Sequence, residues 1–153
     1  MESGKGDFMV NNKTVIVYLF ILTFHVAHVF EETGGRFWIL DQVGLRLYLT
    51  INWFLFCIPV LLFYFVLNNK KWAYKLSIVY AVFMALQGLG HNIATLITGR
   101  YFDGFAGGYT GIGLFIIGLF LIYYLLKEIK KNKGGNQNKK VGLFVQIYVF
   151  LKY

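Results

Sequence analysis

The stretch that decides the fold runs from His25 to Arg36 and reads HVAHVFEETGGR. It closes an uninterrupted apolar run that begins at Thr14, so His25 and His28 lie inside a segment of membrane-spanning character, with Glu31 and Glu32 at its end. An ionisable side chain in hydrocarbon is costly unless it faces a partner or a polar cavity. On a helix, His25, His28 and Glu32 fall within an arc of roughly 60°, with Glu31 at its edge. One helical face thus presents two nitrogen bases and one or two carboxylates. Thr33, Gly34 and Gly35 then end the helix, and Arg36 can fold back toward the glutamates.

Working outward, the composition gives the class. The 153 residues are 58% hydrophobic, 20% aromatic and only 14% charged, with a mean hydropathy of +0.58. That is too apolar for a water-soluble surface and specifies a polytopic membrane protein whose first partner is the lipid bilayer. The formal charge of +8 does not point to nucleic acid, because most lysines flank apolar runs, as in cytoplasmic membrane anchors. The single cysteine, Cys57, lies within an apolar run and excludes an internal disulfide.

The expected architecture is all-α, an integral membrane four-helix bundle. Residues 1–13 form a cytoplasmic lead-in, residues 14–127 the transmembrane domain, and residues 128–153 a basic linker and short apolar tail. Thr14–Glu32 is long enough to span as a helix, about 28 Å. It lacks the small-residue cleavage signature of a signal peptide. The second span covers Leu45–Leu67, with Asn52 near one end and a kink expected at Pro59. The third covers Tyr74–Thr98, in which Gln87, His91, Thr95 and Thr98 share an arc of roughly 80°. Gly90, next to His91, is expected to allow close backbone approach. The fourth covers Phe105–Leu126, where Gly104, Gly107, Gly111 and Gly118 form a small-residue face suited to helix packing or to an oligomer contact. Gly134–Asn138 reads as a flexible linker, and Val141–Tyr153 is too short to span.

Lysine and arginine asymmetry sets the expected orientation. Lys5, Lys13, Lys70, Lys71, Lys75 and the basic tail belong to one side, whereas the other two connections carry acidic residues with only Arg36, Arg46 and Arg100. The positive-inside rule then puts both termini in the cytoplasm of a multi-pass cell-membrane protein. Depth follows from helical rise. His28 lies roughly 6 Å inside the outer end of the first span, and His25 and His91 each about 10 Å inside theirs. All three imidazoles therefore share the outer leaflet, and a bundle with converging polar stripes hides them together.

Histidine nitrogens with carboxylate oxygens suit zinc, iron or manganese, so a divalent metal is the cofactor this set would take, with His28, Glu32, His91 and His25 as candidate ligands. The spacing His28-x-x-Glu31-Glu32 differs from HExxH and HxxEH zinc motifs, so a further ligand must come from His91 or His25. Without a metal, Glu31 and Glu32 would act as an acid beside a base, with His28 and His91 completing a proton-transfer site for a lipid-like substrate. Arg36, Asn52, Gln87, Arg100 and Tyr101 are candidate supporting residues. The competing readings are a non-catalytic ligand-binding or transport-accessory protein, and a packing module in which the polar residues join helices.

His28-Val29-Phe30-Glu31-Glu32 resembles the signature of the HXXEE family of small multi-pass membrane proteins. Gly88-Leu89-Gly90-His91 and the later Arg100-Tyr101 resemble that family's second motif, with Asp103-Gly104 where the family commonly has proline-glycine. The resemblance covers about residues 14–127 and implies a fold and candidate residues, but no reaction. Glu31-Glu32-Thr33-Gly34-Gly35-Arg36 also resembles the EExxxR pattern of intramembrane prenyl-protein proteases. That family's later element would need Phe at position 87, where this chain has Gln87. A four-span plan with membrane His and Glu is similar to sterol isomerase-type bundles at the level of fold.

Overall fold

The computed structural model of the protein describes the backbone of residues 10–35, 38–98 and 108–152, and the side chains of residues 10–35, 39–97 and 108–131. These residues form helices α1 (Asn12–Gly34), α2 (Trp38–Val43), α3 (Leu45–Leu67), α4 (Lys71–Thr98) and α5 (Gly108–Lys152). Four of them, α1, α3, α4 and α5 as far as Lys131, are long and apolar enough to cross a bilayer. The protein is the all-α, four-span membrane bundle that its hydropathy dictates. The short α2 was not expected from the sequence.

Local chemistry fixes the helix ends. The Asn11 side chain accepts a hydrogen bond from the Lys13 amide at 2.9 Å, satisfying one orphan donor of α1. The Asn11 amide and Thr14 hydroxyl donate to Glu128 Oε1 at 3.2 and 3.4 Å. A buried carboxylate from α5 therefore meets the positive end of the α1 dipole. Gly44, between α2 and α3, has φ 78°, a left-handed conformation in which a side chain would be strained. Helix α3 continues through Pro59. The Pro59 carbonyl accepts from the Tyr18 hydroxyl at 3.2 Å, which pins α3 to α1.

Around the bundle, α1 packs on α3 and α5, and α4 packs on the same two helices. Thus α1 and α4 face each other across a diagonal. Tyr18 meets Ser77 at 2.9 Å and His25 Nδ1 meets the Tyr80 hydroxyl at 3.1 Å, forming polar rungs across that gap. The closest packing is between α4 and α5. A Cβ on Gly88 would land on the Gly111 carbonyl, and one on Gly111 would lie 2.9 Å from the Gly88 carbonyl. Gly118 rests against Ala81 and Ala85. Close approach is therefore the work of Gly88; Gly90, the residue expected to do it, has no neighbour within 4 Å of its would-be Cβ.

The described part of the glycine face, Gly111 and Gly118, is buried inside the chain, so it is already occupied rather than open to another copy. Gly104 and Gly107 lie outside the described residues. Helix α5 also runs without a break through residues 134–138, where the sequence reading put a flexible linker. Two glycines cost about 1 kcal/mol each in a helix, too little to stop one whose flanking lysines favour helix.

Burial is inverted relative to a water-soluble protein. Thr14, His25, His28, Glu32, Ser77, His91, Thr95 and Glu128 are buried, while Phe30, Leu96 and Ile97 are more than 70% exposed. This pattern fits a hydrocarbon solvent outside and a polar seam within. Between the rungs the seam is filled by Ile21, Met84, Leu114, Leu121 and other buried apolar side chains.

Candidate metal centre

The C-terminal turns of α1 and α4 bring three donors together. His91 Nε2 lies 3.1 Å from Glu32 Oε1, and His28 Nε2 lies 3.4 Å from the same oxygen. The two imidazole rings are 4.8 Å apart at 90°. Among the described residues, His28, Glu32 and His91 are the group whose ligand atoms could hold a metal ion, all within 4.8 Å of one another. In a tetrahedral site with bonds of about 2.0–2.1 Å, neighbouring ligand atoms lie roughly 3.4 Å apart. Both Glu32–His separations already match that edge.

The outer hydrogen bonds orient the donors. Thr110 Oγ1 donates to Glu31 Oε2 at 2.5 Å and lies 2.8 Å from His28 Nδ1. The threonine hydroxyl has one proton, and the carboxylate takes it. Thr110 must therefore accept from His28 Nδ1–H, so that in the neutral imidazole Nε2 is the nitrogen left with a free lone pair. That nitrogen is buried without a hydrogen-bond partner and points to Glu32 and His91. Tyr48, on α3, donates to the other Glu32 oxygen. The Thr95 hydroxyl donates to the His91 carbonyl, securing the last turns of α4.

The two glutamates do not share a pocket. About 100° apart on the helix, they diverge: Glu32 turns toward α4, and Glu31 caps α5 by accepting from the Tyr109 and Thr110 amides at 2.9 and 2.8 Å. This corrects the expectation of adjacent carboxylates acting as an acid–base pair. His25, read as a fourth candidate ligand, lies outside the donor group; it pairs with Tyr80 and meets Phe56 edge to face at 5.6 Å.

Two cavities lie near the centre, and the smaller reaches it at Glu32. One, of about 210 Å³, is bounded by Glu32, Tyr48, Val43 and Ile51. The other, of about 440 Å³ and mainly apolar, lies between α3 and α4 above His25 and Met84. Asn52 and Gln87 line both. Asn52 donates to the Tyr48 carbonyl at 3.0 Å. Arg36, Arg100 and Tyr101 lie outside the described residues.

Sequence reasoning missed Tyr48 and Thr110. Tyr48 was recoverable, since it lies one turn before Asn52 and at the depth of Glu32. Thr110 carried no signal before α1 and α5 were known to be neighbours. Comparisons with protein-family models, with curated proteins and with solved structures give no match.

Proposed function

We propose that His28, Glu32 and His91 hold a divalent metal ion and that the protein is a metal-dependent membrane enzyme acting on a lipid-like substrate. The observation that carries this reading is the His28 Nε2 atom, fully buried, without a hydrogen-bond partner and 3.4 Å from Glu32 Oε1. An unsatisfied buried polar atom costs about 1–3 kcal/mol, a cost that metal coordination would offset.

Two imidazoles and one carboxylate leave a position for water or substrate, the arrangement of catalytic rather than closed structural sites. A bound zinc or similar ion supplies Lewis acidity and a water activated near neutral pH. His28 and His91 bind through neutral nitrogens, Glu32 offsets the ion's charge, and Tyr48 holds the carboxylate in place. Glu31 and Thr110 act one shell out, setting the His28 tautomer. The same donors also suit iron(II), so metal analysis decides between hydrolytic and oxidative chemistry. The motif resemblance favours an HXXEE-type membrane protein, and the lysine distribution favours a cell-membrane location with cytoplasmic termini and the centre in the outer leaflet.

The test is metal analysis of detergent-solubilised protein, followed by cobalt(II) titration with visible absorption as the readout. The expected result is one ion per chain and a saturable tetrahedral spectrum, both lost in His91→Ala and Glu32→Gln. A wild-type protein that stays folded yet takes up neither zinc, cobalt, manganese nor iron overturns the reading.

A further inference from the structure

The 440 Å³ cavity is built unlike an ordinary gap between membrane helices. Its lips, Leu55 and Ile58 on α3 and Val79 and Phe83 on α4, are exposed on the bundle surface. Its floor, Met84 and His25, is buried. In a bilayer the cavity therefore opens sideways into hydrocarbon. From Asn52 to Leu62, both of which line it, α3 rises about 15 Å, so the cavity is long as well as apolar.

At one end the lining becomes polar. Asn52 and Gln87 border both this cavity and the smaller one that reaches Glu32 and Tyr48. Gln87 is half-buried within a membrane helix, and its amide makes no hydrogen bond among the described residues. A polar group held out of water without a partner is costly. Here it stands where an elongated molecule would change from hydrocarbon to head group.

We propose that the cavity between α3 and α4 holds a single hydrocarbon chain of a membrane amphiphile, whose polar head passes between Asn52 and Gln87 to the His28–Glu32–His91 centre. The head-group half of this proposal rests on the metal reading above; the chain half does not. The amphiphile comes sideways from the bilayer. Any second chain stays outside, because the cavity accommodates one. Gln87 and Asn52 recognise an oxygen-rich linkage such as an ester through their amides.

The test uses the whole protein in phosphatidylcholine nanodiscs with a medium-chain fatty acid carrying a terminal diazirine, mapped by peptide mass spectrometry. Saturable labelling is expected on α3 and α4 peptides that line the cavity, with excess unlabelled fatty acid as competitor. Val79→Trp fills the cavity from its lipid-exposed lip and should lower that labelling about tenfold. Val82→Trp, on exposed surface beside the cavity, should leave it unchanged. Metal content of Val79→Trp should stay at the wild-type value, and His91→Ala should still be labelled, so loss of the metal reading and loss of the chain site are separately visible. Labelling spread evenly over lipid-facing helices and indifferent to Val79→Trp overturns the proposal. So do chain-to-chain crosslinks that place a second copy in the cavity.

Discussion

Thr110 has one hydroxyl proton and two demanding neighbours, and the way it divides itself sets the character of the whole centre. Because Glu31 takes the proton, His28 is held in the tautomer that can bind a metal. Thr110→Val should weaken zinc binding by about 10–100-fold, while Thr110→Ser should retain it; competition with a chromophoric chelator reads both. Equal affinity in all three proteins would remove Thr110 from the centre. The adjacent glutamates should behave differently. Glu31→Gln weakens a charged helix cap and should cost about 1–2 kcal/mol of stability, while its amide oxygen can still accept from the Thr110 hydroxyl, so metal content should be preserved. Glu32→Gln should abolish metal uptake. The sequence placed both in one acidic pair, because a helical wheel shows direction but not which neighbour stands there.

At the scale of elements, the bundle depends on α4 and α5 coming closer than side chains normally allow. Gly88 and Gly90 give a direct contrast on one helix. Gly88→Ala drives a methyl into the Gly111 carbonyl and should destabilise by about 1–3 kcal/mol, read as a lower unfolding midpoint in detergent. Gly90→Ala meets empty space and should be neutral or slightly stabilising, since glycine costs helix stability relative to alanine. An equal loss in both would mean that backbone propensity, not helix contact, governs. Sequence alone selected Gly90 because it precedes His91; only the rotation of α4 against α5 identifies Gly88. Span limits were far more legible: α3 occupies the same residues, Leu45–Leu67, that hydropathy delimits. The convergence of His28, Glu32 and His91 was legible too, through rise per residue and the cost of burying charge. Tyr48 and Thr110 were not identified, since each matters only through a partner on another helix.

For the molecule as a whole, the lysine asymmetry predicts that a reporter fused after Lys133 is read in the cytoplasm, and an external signal there would reverse the orientation. The diagonal pairing of α1 with α4 carries a further consequence. These two helices are joined by the side-chain rungs Tyr18–Ser77, His25–Tyr80 and Glu32–His91, whereas their extensive packing is with α3 and α5. An ion gripped by the last rung would work as a drawstring, cinching one mouth of the bundle while the opposite mouth stays as it was. Loading should therefore raise the melting temperature, by the equivalent of about 2.7 kcal/mol at a hundredfold excess over Kd. Hydrogen exchange should slow in the final turns of α1 and α4 and leave their opening turns untouched.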